Sequence, residues 1–189
     1  MTRRFAVGLA AALALVLAMG LPSQAPLAQS AETETQIDEV PMTLQRLAEI
    51  ISSLDPNSQT NGRQFQLTIE DVPVMVFTDE GADRMRAMVP IRAADDMTSE
   101  ELMRVMQANF DTALDARYAV AQGRLWGVYI HPLSALKKDQ FISGLGQAVN
   151  LAKTYGSLYT GGAMSFGGGD SVPLQRQLID KLLERGQEI

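Results

Sequence analysis

Residues 98–133 read TSEELMRVMQANFDTALDARYAVAQGRLWGVYIHPL, and the hydrophobic period changes within them. Up to about Ala113 the apolar residues recur at three- and four-residue steps, with Leu102, Val105, Met106, Asn109, Phe110 and Ala113 on one face. That is the spacing of an amphipathic helix. Thr98 followed three residues later by Glu101 is a capping box, in which each side chain satisfies the other residue's orphan backbone N–H. From Ala116 the spacing suits strands, Ala116–Ala121 and Arg124–His131, with Gln122-Gly123 as the tight turn between them. Trp126, Val128 and Ile130 fall on one face of the second strand, with Tyr118 and Val120 expected beside them across the hairpin.

Outward from this passage, the chain upstream gives a helix and three more strands. Leu44, Leu47, Ala48 and Ile51 mark a helix from Met42 to about Leu54, which Asp55-Pro56-Asn57 breaks. Phe65, Leu67 and Ile69 alternate with polar residues, Glu70-Asp71 makes a turn, and Val72–Thr78 is apolar on both faces. Arg84–Ile91 alternates again, placing Met85, Ala87, Val89 and Ile91 opposite Arg84 and Arg86. Downstream, Phe141, Ile142, Leu145, Val149, Ala152 and Tyr155 form the inner stripe of a long helix from Lys138 to about Leu158. Gly144 and Gly146 inside that stripe indicate close packing of the helix, since glycine there costs helix stability. The order α-β-β-β-α-β-β-α predicts an α+β fold, a two-layer antiparallel sheet with helices on one face. The domain spans residues 42–159. Residues 160–189 form a glycine-rich tail, expected to be flexible, ending in a short amphipathic helix over 172–185.

The N-terminus bounds the compartment. Arg3 and Arg4 precede an apolar run from Ala6 to Leu21, and small residues Ala28 and Ser30 precede Ala31. Such an order is that of a secretory signal peptide covering residues 1–30, cleaved between Ser30 and Ala31. The run of about sixteen residues is short of the roughly 20 that span a bilayer. Residues 31–41 are polar and acidic and read as a disordered lead-in. The expected product is periplasmic or secreted, with no stable membrane insertion. Cleavage leaves 14 basic residues against 22 acidic ones, a charge of about −8. That surface repels phosphate backbones, so nucleic acid is not the expected partner. With no cysteine, neither a lipid-anchored cysteine nor a disulfide is available, and stability rests on an apolar core.

Few residues offer chemistry, and no catalytic, metal or cofactor site is assigned. His131 is the only histidine and there is no thiol, so a nitrogen- and sulfur-based metal set cannot be assembled. Ser134-Ala-Leu-Lys137 has the S-x-x-K spacing of serine acyl-transferring enzymes but lacks their companion motifs. A periplasmic hydrolase using Ser134 and Lys137, or His131, is thus the enzymatic alternative. Gly167-Gly-Gly169 lacks the lysine of a phosphate loop. Asn109 on an apolar helix face must find polar partners, and bonding a neighbouring strand's backbone is its expected structural role. Arg84 and Arg86 share a strand face: they either pair with Asp79, Glu80 and Asp83 or anchor an acidic peptide. The 10 methionines, Met75, Met85, Met88, Met103 and Met106 among them, suit either core filling or an adaptable binding surface.

The passage Met106–Leu133, the strand DRMRAMVPI over Asp83–Ile91, and the last long helix reaching Thr154-Tyr155-Gly156 together resemble the type III secretion chaperone-like fold, including the YbjN family. The resemblance covers Met42 to Tyr159. It implies a non-enzymatic binding domain, in which small acidic dimers hold segments of partner proteins along apolar patches. Those chaperones are cytosolic, and this chain departs from them in carrying an export signal. The resulting expectation is an exported, homodimeric, protein-binding domain. Arg84, Arg86, Trp126, Val128 and Ile130 are its candidate partner-binding residues. A purely structural envelope protein is a further alternative.

Overall fold

A computed structural model describes residues 39–111, 114–156 and 172–187, leaving out the side chains of Asp111 and residues 172–175. The expected signal segment, most of the lead-in and the glycine-rich residues 157–171 lie outside the described residues. Along the chain come α1 (Leu44–Leu54), β1 (Gln59–Thr60), β2 (Gln64–Ile69), β3 (Val72–Asp79) and β4 (Arg84–Ala93). Then follow α2 (Ser99–Asp111), β5 (Arg117–Ala121), β6 (Arg124–His131), α3 (Lys138–Lys153) and α4 (Val172–Gly186). The strands form one antiparallel sheet in the order β1-β2-β3-β4-β6-β5. The α+β class and the element order agree with expectation. The two-residue β1 is an addition: it is too short to show a period.

Local chemistry sets the element ends. The Thr43 hydroxyl accepts from the Arg46 N–H at 3.1 Å and caps α1. At α2 the capping box closes both ways, Thr98 N–H to Glu101 Oε2 at 2.7 Å and Glu101 N–H to Thr98 Oγ1 at 3.1 Å. The Thr98 N–H, together with the Thr98 side chain, holds the Glu101 carboxyl below its ordinary range. Both hairpin turns use left-handed backbone, at Glu70 and Asp71 and at Gln122 and Gly123, as two-residue turns between twisted strands require. Near the end of the acidic lead-in, the Glu39 carboxylate accepts from the Lys138 N–H at 2.9 Å and from Arg46 Nη2 at 2.6 Å. A negative charge at the N-terminus of α3 also complements the helix dipole.

The core lies between one face of the sheet and the helices α1, α3 and α4. Phe65, Leu67, Ile69, Val74, Val76, Met85, Ala87, Val89, Leu125 and Tyr129 point into it from the strands. Leu47, Ile50 and Ile51 of α1, and Phe141, Ile142, Leu145 and Val149 of α3, meet them. Each buried Val, Leu, Ile, Phe or Met side chain contributes about 1.5–3 kcal/mol. α3 comes unusually close to β6. A Cβ on Gly144 would run into the Tyr129 ring, and a Cβ on Gly127 would lie 2.9 Å from the Ala148 carbonyl oxygen. α4 lies on α3 and α1, where Ile179 and Leu182 sit over Gly146. Lys181 of α4 pairs with Glu70, which lowers the Glu70 carboxyl below its usual range.

Two side-chain orientations differ from expectation. α2 turns Val105 and Ala108 inward, whereas Met106 and Phe110, expected on the same face as Val105, are 62% and 72% exposed. Ala113, of the same expected stripe, lies outside the described residues. Tyr118 and Val120 do not neighbour Trp126. The register pairs Tyr118 with Gly127 and Val120 with Leu125, on the helix side of the sheet. The Tyr118 hydroxyl there donates to the Leu151 carbonyl at 2.9 Å. Trp126 instead faces Ala119.

Candidate functional site

Among the described residues no helix covers the second face of the sheet. On a one-sided antiparallel sheet that face is ordinarily polar. On β2 it is, with Gln64, Gln66 and Thr68 all exposed. Across β3, β4 and β6 it is apolar apart from Arg84 and Arg86 of β4. The register aligns Met75, Met88 and Val128 in one cross-strand row, and Phe77, Arg86 and Ile130 in the next. Pro90 lies opposite Trp126, which lies opposite Ala119. Met75, Phe77, Met88, Trp126 and Val128 are half-buried, and Ile130 is 52% exposed. A groove of about 340 Å³ continues the patch between Gln66, Thr68, Pro73, Met75 and Pro90.

Cations border this patch. Arg84 and Arg86 of β4 and Arg117 of β5 are exposed, and among the described residues no salt bridge reaches any of them. Two of the three acids expected to pair with them, Asp83 and Asp79, are engaged by hydrogen bonds of their own. Asp83 accepts from the Ser134 N–H at 2.7 Å and from the Ser134 hydroxyl at 2.8 Å, and these bonds hold its carboxyl below the usual range. Asp79 accepts from the Ala82 N–H at 3.0 Å and closes the β3–β4 loop. Trp126 is fixed by its ring N–H on the Ala121 carbonyl at 3.0 Å, with the Arg124 guanidinium 5.9 Å from the ring centre. The structure thus brings Arg86, Val128 and Ile130 onto adjoining cross-strand rows of one face, with Trp126 beside Val128 and Arg84 at the start of β4.

Side chains occupy part of the sheet's edges. On β5, Asn109 of α2 accepts from the Tyr118 N–H at 2.7 Å and donates to the Tyr118 carbonyl at 3.1 Å. The amide takes the place that a neighbouring strand would occupy. Just before β5, buried Gln147 of α3 accepts from the N–H groups of Asp115 and Ala116 at 2.8 and 3.0 Å. On β2, the Asp55 carboxylate at the end of α1 accepts from the Thr68 N–H at 2.8 Å, beyond the reach of β1. Unpaired edges invite strand addition, and side chains that occupy them oppose it. Sequence reasoning misses Gln147 because it falls within the apolar run of a helix, and only its position beside β5 reveals its function.

A second apolar surface runs along α2. Met103, Met106 and Phe110 form a stripe exposed by 68%, 62% and 72%, and Leu114 beyond the helix is 46% exposed.

The hydrolase residues do not assemble. The Ser134 hydroxyl is engaged by Asp83 and Lys137 is the N-cap of α3. His131 Nδ1 lies 2.8 Å from the Pro132 carbonyl oxygen. Among the described residues no group of three His, Asp or Glu side chains is placed to hold a metal. No described helix is long and apolar enough to cross a membrane.

The chain is similar in structure to several solved complexes, among them a type III secretion chaperone. The ExsC–ExsE complex matches at a TM-score of 0.47 and 11% identity, over 60% of this chain and 93% of that one. The HopA1–SchA chaperone–effector complex matches at 0.44 and 8%, over 58% and 91%. The Yersinia pestis type III secretion chaperone SycH, in complex with a fragment of YscM2, matches at 0.41 and 17%, over 56% and 98%. These are likenesses of fold. No protein-family model and no curated protein matches the chain.

Proposed function

We propose that this chain is an exported, non-enzymatic protein-binding domain that holds an extended partner segment on the helix-free face of its sheet. One observation carries the reading: Met75, Phe77, Met88, Trp126, Val128 and Ile130 form a continuous apolar surface on the face that no described helix covers. Two methionines in that surface adapt to varied side chains, and Trp126 is the kind of rigid aromatic that anchors interfaces. Arg84, Arg86 and Arg117, in no salt bridge among the described residues, favour a partner with acidic residues flanking its apolar ones. The side chains on the β5 and β2 edges favour docking across the face over addition of a strand there. We further propose that a second copy of the chain covers the α2 stripe, making a homodimer, and that the signal segment is removed between Ser30 and Ala31 on export.

The test uses synthetic peptides with alternating apolar residues flanked by aspartate and glutamate. Binding is expected to weaken about tenfold in Ile130→Glu, which places a charge at the patch while leaving the buried face intact. Equal affinity in the variant removes this face from the account. Light scattering on the purified protein tests the dimer, with Phe110→Glu expected to yield monomer. N-terminal sequencing of exported material tests the cleavage.

A further inference from the structure

We propose that Met75 and Met88 form a reversible oxidation site for peroxide-class oxidants, whose conversion to sulfoxides releases the partner held on the sheet face. The release rests on the reading of that face as the partner-binding surface. Sulfur occurs in this chain only as the thioethers of its 10 methionines, since there is no cysteine. The fold places these side chains differently. Met42 and Met85 lie in the core, 4% and 0% exposed. Met103 and Met106 project from α2. Met75 and Met88 are half-buried and lie directly opposite one another across β3 and β4, with Val128 continuing their row on the helix-free face.

The step is a two-electron oxygen transfer. A thioether lone pair attacks one oxygen of hydrogen peroxide, the O–O bond breaks, and the departing hydroxide takes the remaining proton to become water. Sulfur gains an oxygen and is oxidised, and the peroxide is reduced. An apolar side chain thereby becomes a polar one, a change that disrupts methionine-rich surfaces and that cells can reverse. The setting of this pair gives the change two consequences. Two adjoining sulfoxides interrupt the apolar surface at its centre. They also flank a cation: Arg86 lies two residues from Met88 on the same face of β4, about 7 Å along the strand, and diagonal to Met75 across the register. Among the described residues no salt bridge engages Arg86. A guanidinium donates and a sulfoxide oxygen accepts, so oxidation offers Arg86 an acceptor within the chain in place of the partner's carboxylate. Both consequences act against the same partner.

The full protein is treated with hydrogen peroxide, its oxidised positions are mapped by peptide mass spectrometry, and its affinity for the apolar peptides with acidic flanks is measured. Met75 and Met88 are expected to convert while Met42 and Met85 stay thioethers. Affinity should fall about tenfold and return after treatment with the two epimer-specific methionine sulfoxide reductases. The double variant Met75→Leu, Met88→Leu keeps the surface apolar at similar volume. It should bind like the parent before and after peroxide, even with Met103 and Met106 oxidised, which separates the sheet face from α2. Resistance of Met75 and Met88 to peroxide, unchanged affinity after their conversion, a loss the reductases do not reverse, or an equal loss in the double variant overturns the inference alone. Absence of peptide binding before any oxidation refutes the sheet-face reading, and the release with it.

Discussion

Asn109→Ala removes the two hydrogen bonds that close the β5 edge, at 2.7 and 3.1 Å to the Tyr118 backbone. Each is worth about 0.5–1.5 kcal/mol net. Tyr118 is 7% exposed, so water reaches its freed N–H and carbonyl poorly, and the loss should lie near the upper end, about 2–3 kcal/mol. At roughly 2–4 °C per kcal/mol for a domain of this size, the midpoint of thermal unfolding falls by about 4–12 °C. Asn109→Asp should be nearly as damaging, because a carboxylate still accepts from the Tyr118 N–H but turns a second oxygen toward the Tyr118 carbonyl. Urea unfolding followed by circular dichroism measures both variants. Freed edge groups should also promote association, visible in light scattering. A loss below about 0.5 kcal/mol in Asn109→Ala, with monodisperse protein, would refute the edge-closing role.

Three further outcomes are expected. Gly144→Ala forces a methyl group into the Tyr129 ring and should cost about 1–3 kcal/mol in urea unfolding, whereas alanine at an open helical glycine would stabilise. Glu70 is held below its ordinary value of 4.5, chiefly by its hydrogen bond with Lys181. A folded-state value below the unfolded one gives stability that is fully present above about pH 4.5 and is lost as pH falls through the folded value. Urea midpoints of Lys181→Met and the parent should therefore converge towards pH 3 and separate at pH 7. Ser134→Ala should lower stability at neutral pH slightly, since Asp83 loses the hydroxyl bond but keeps the one from the backbone N–H of residue 134, while ester and amide turnover by the purified protein stays at background before and after the change.

Much of the fold was legible because single-face burial imposes a period. β2 shows it most directly, with Phe65, Leu67 and Ile69 buried and their neighbours exposed. Gly144 and Gly146 also signalled close packing, since the helical penalty of glycine needs a tertiary cause. The orientation of α2 was not legible. Its sequence contains two overlapping apolar stripes, one through Val105 and one through Met106 and Phe110, and periodicity cannot say which faces the core. The misplacement of Tyr118 has a similar origin: strand alternation assigns faces only once the hairpin register is known, and that depends on which residue pairs with Trp126. Of the candidate site, Trp126, Val128 and Ile130 were visible as one strand face. Their neighbours Met75 and Phe77 were not, because β3 is apolar on both faces and only the cross-strand register shows which side each residue takes; Met88 falls by alternation on the Arg84–Arg86 face of β4, and the register alone sets it beside Met75 and Val128.

Photo-crosslinking from the sheet face tests the central claim most directly. With benzoyl-phenylalanine in place of Val128, in the cell that makes the protein, the account predicts covalent adducts with another polypeptide. The same group in place of Gln45, exposed on α1, should give none. No adduct from position 128, or equal yields from both positions, would contradict it.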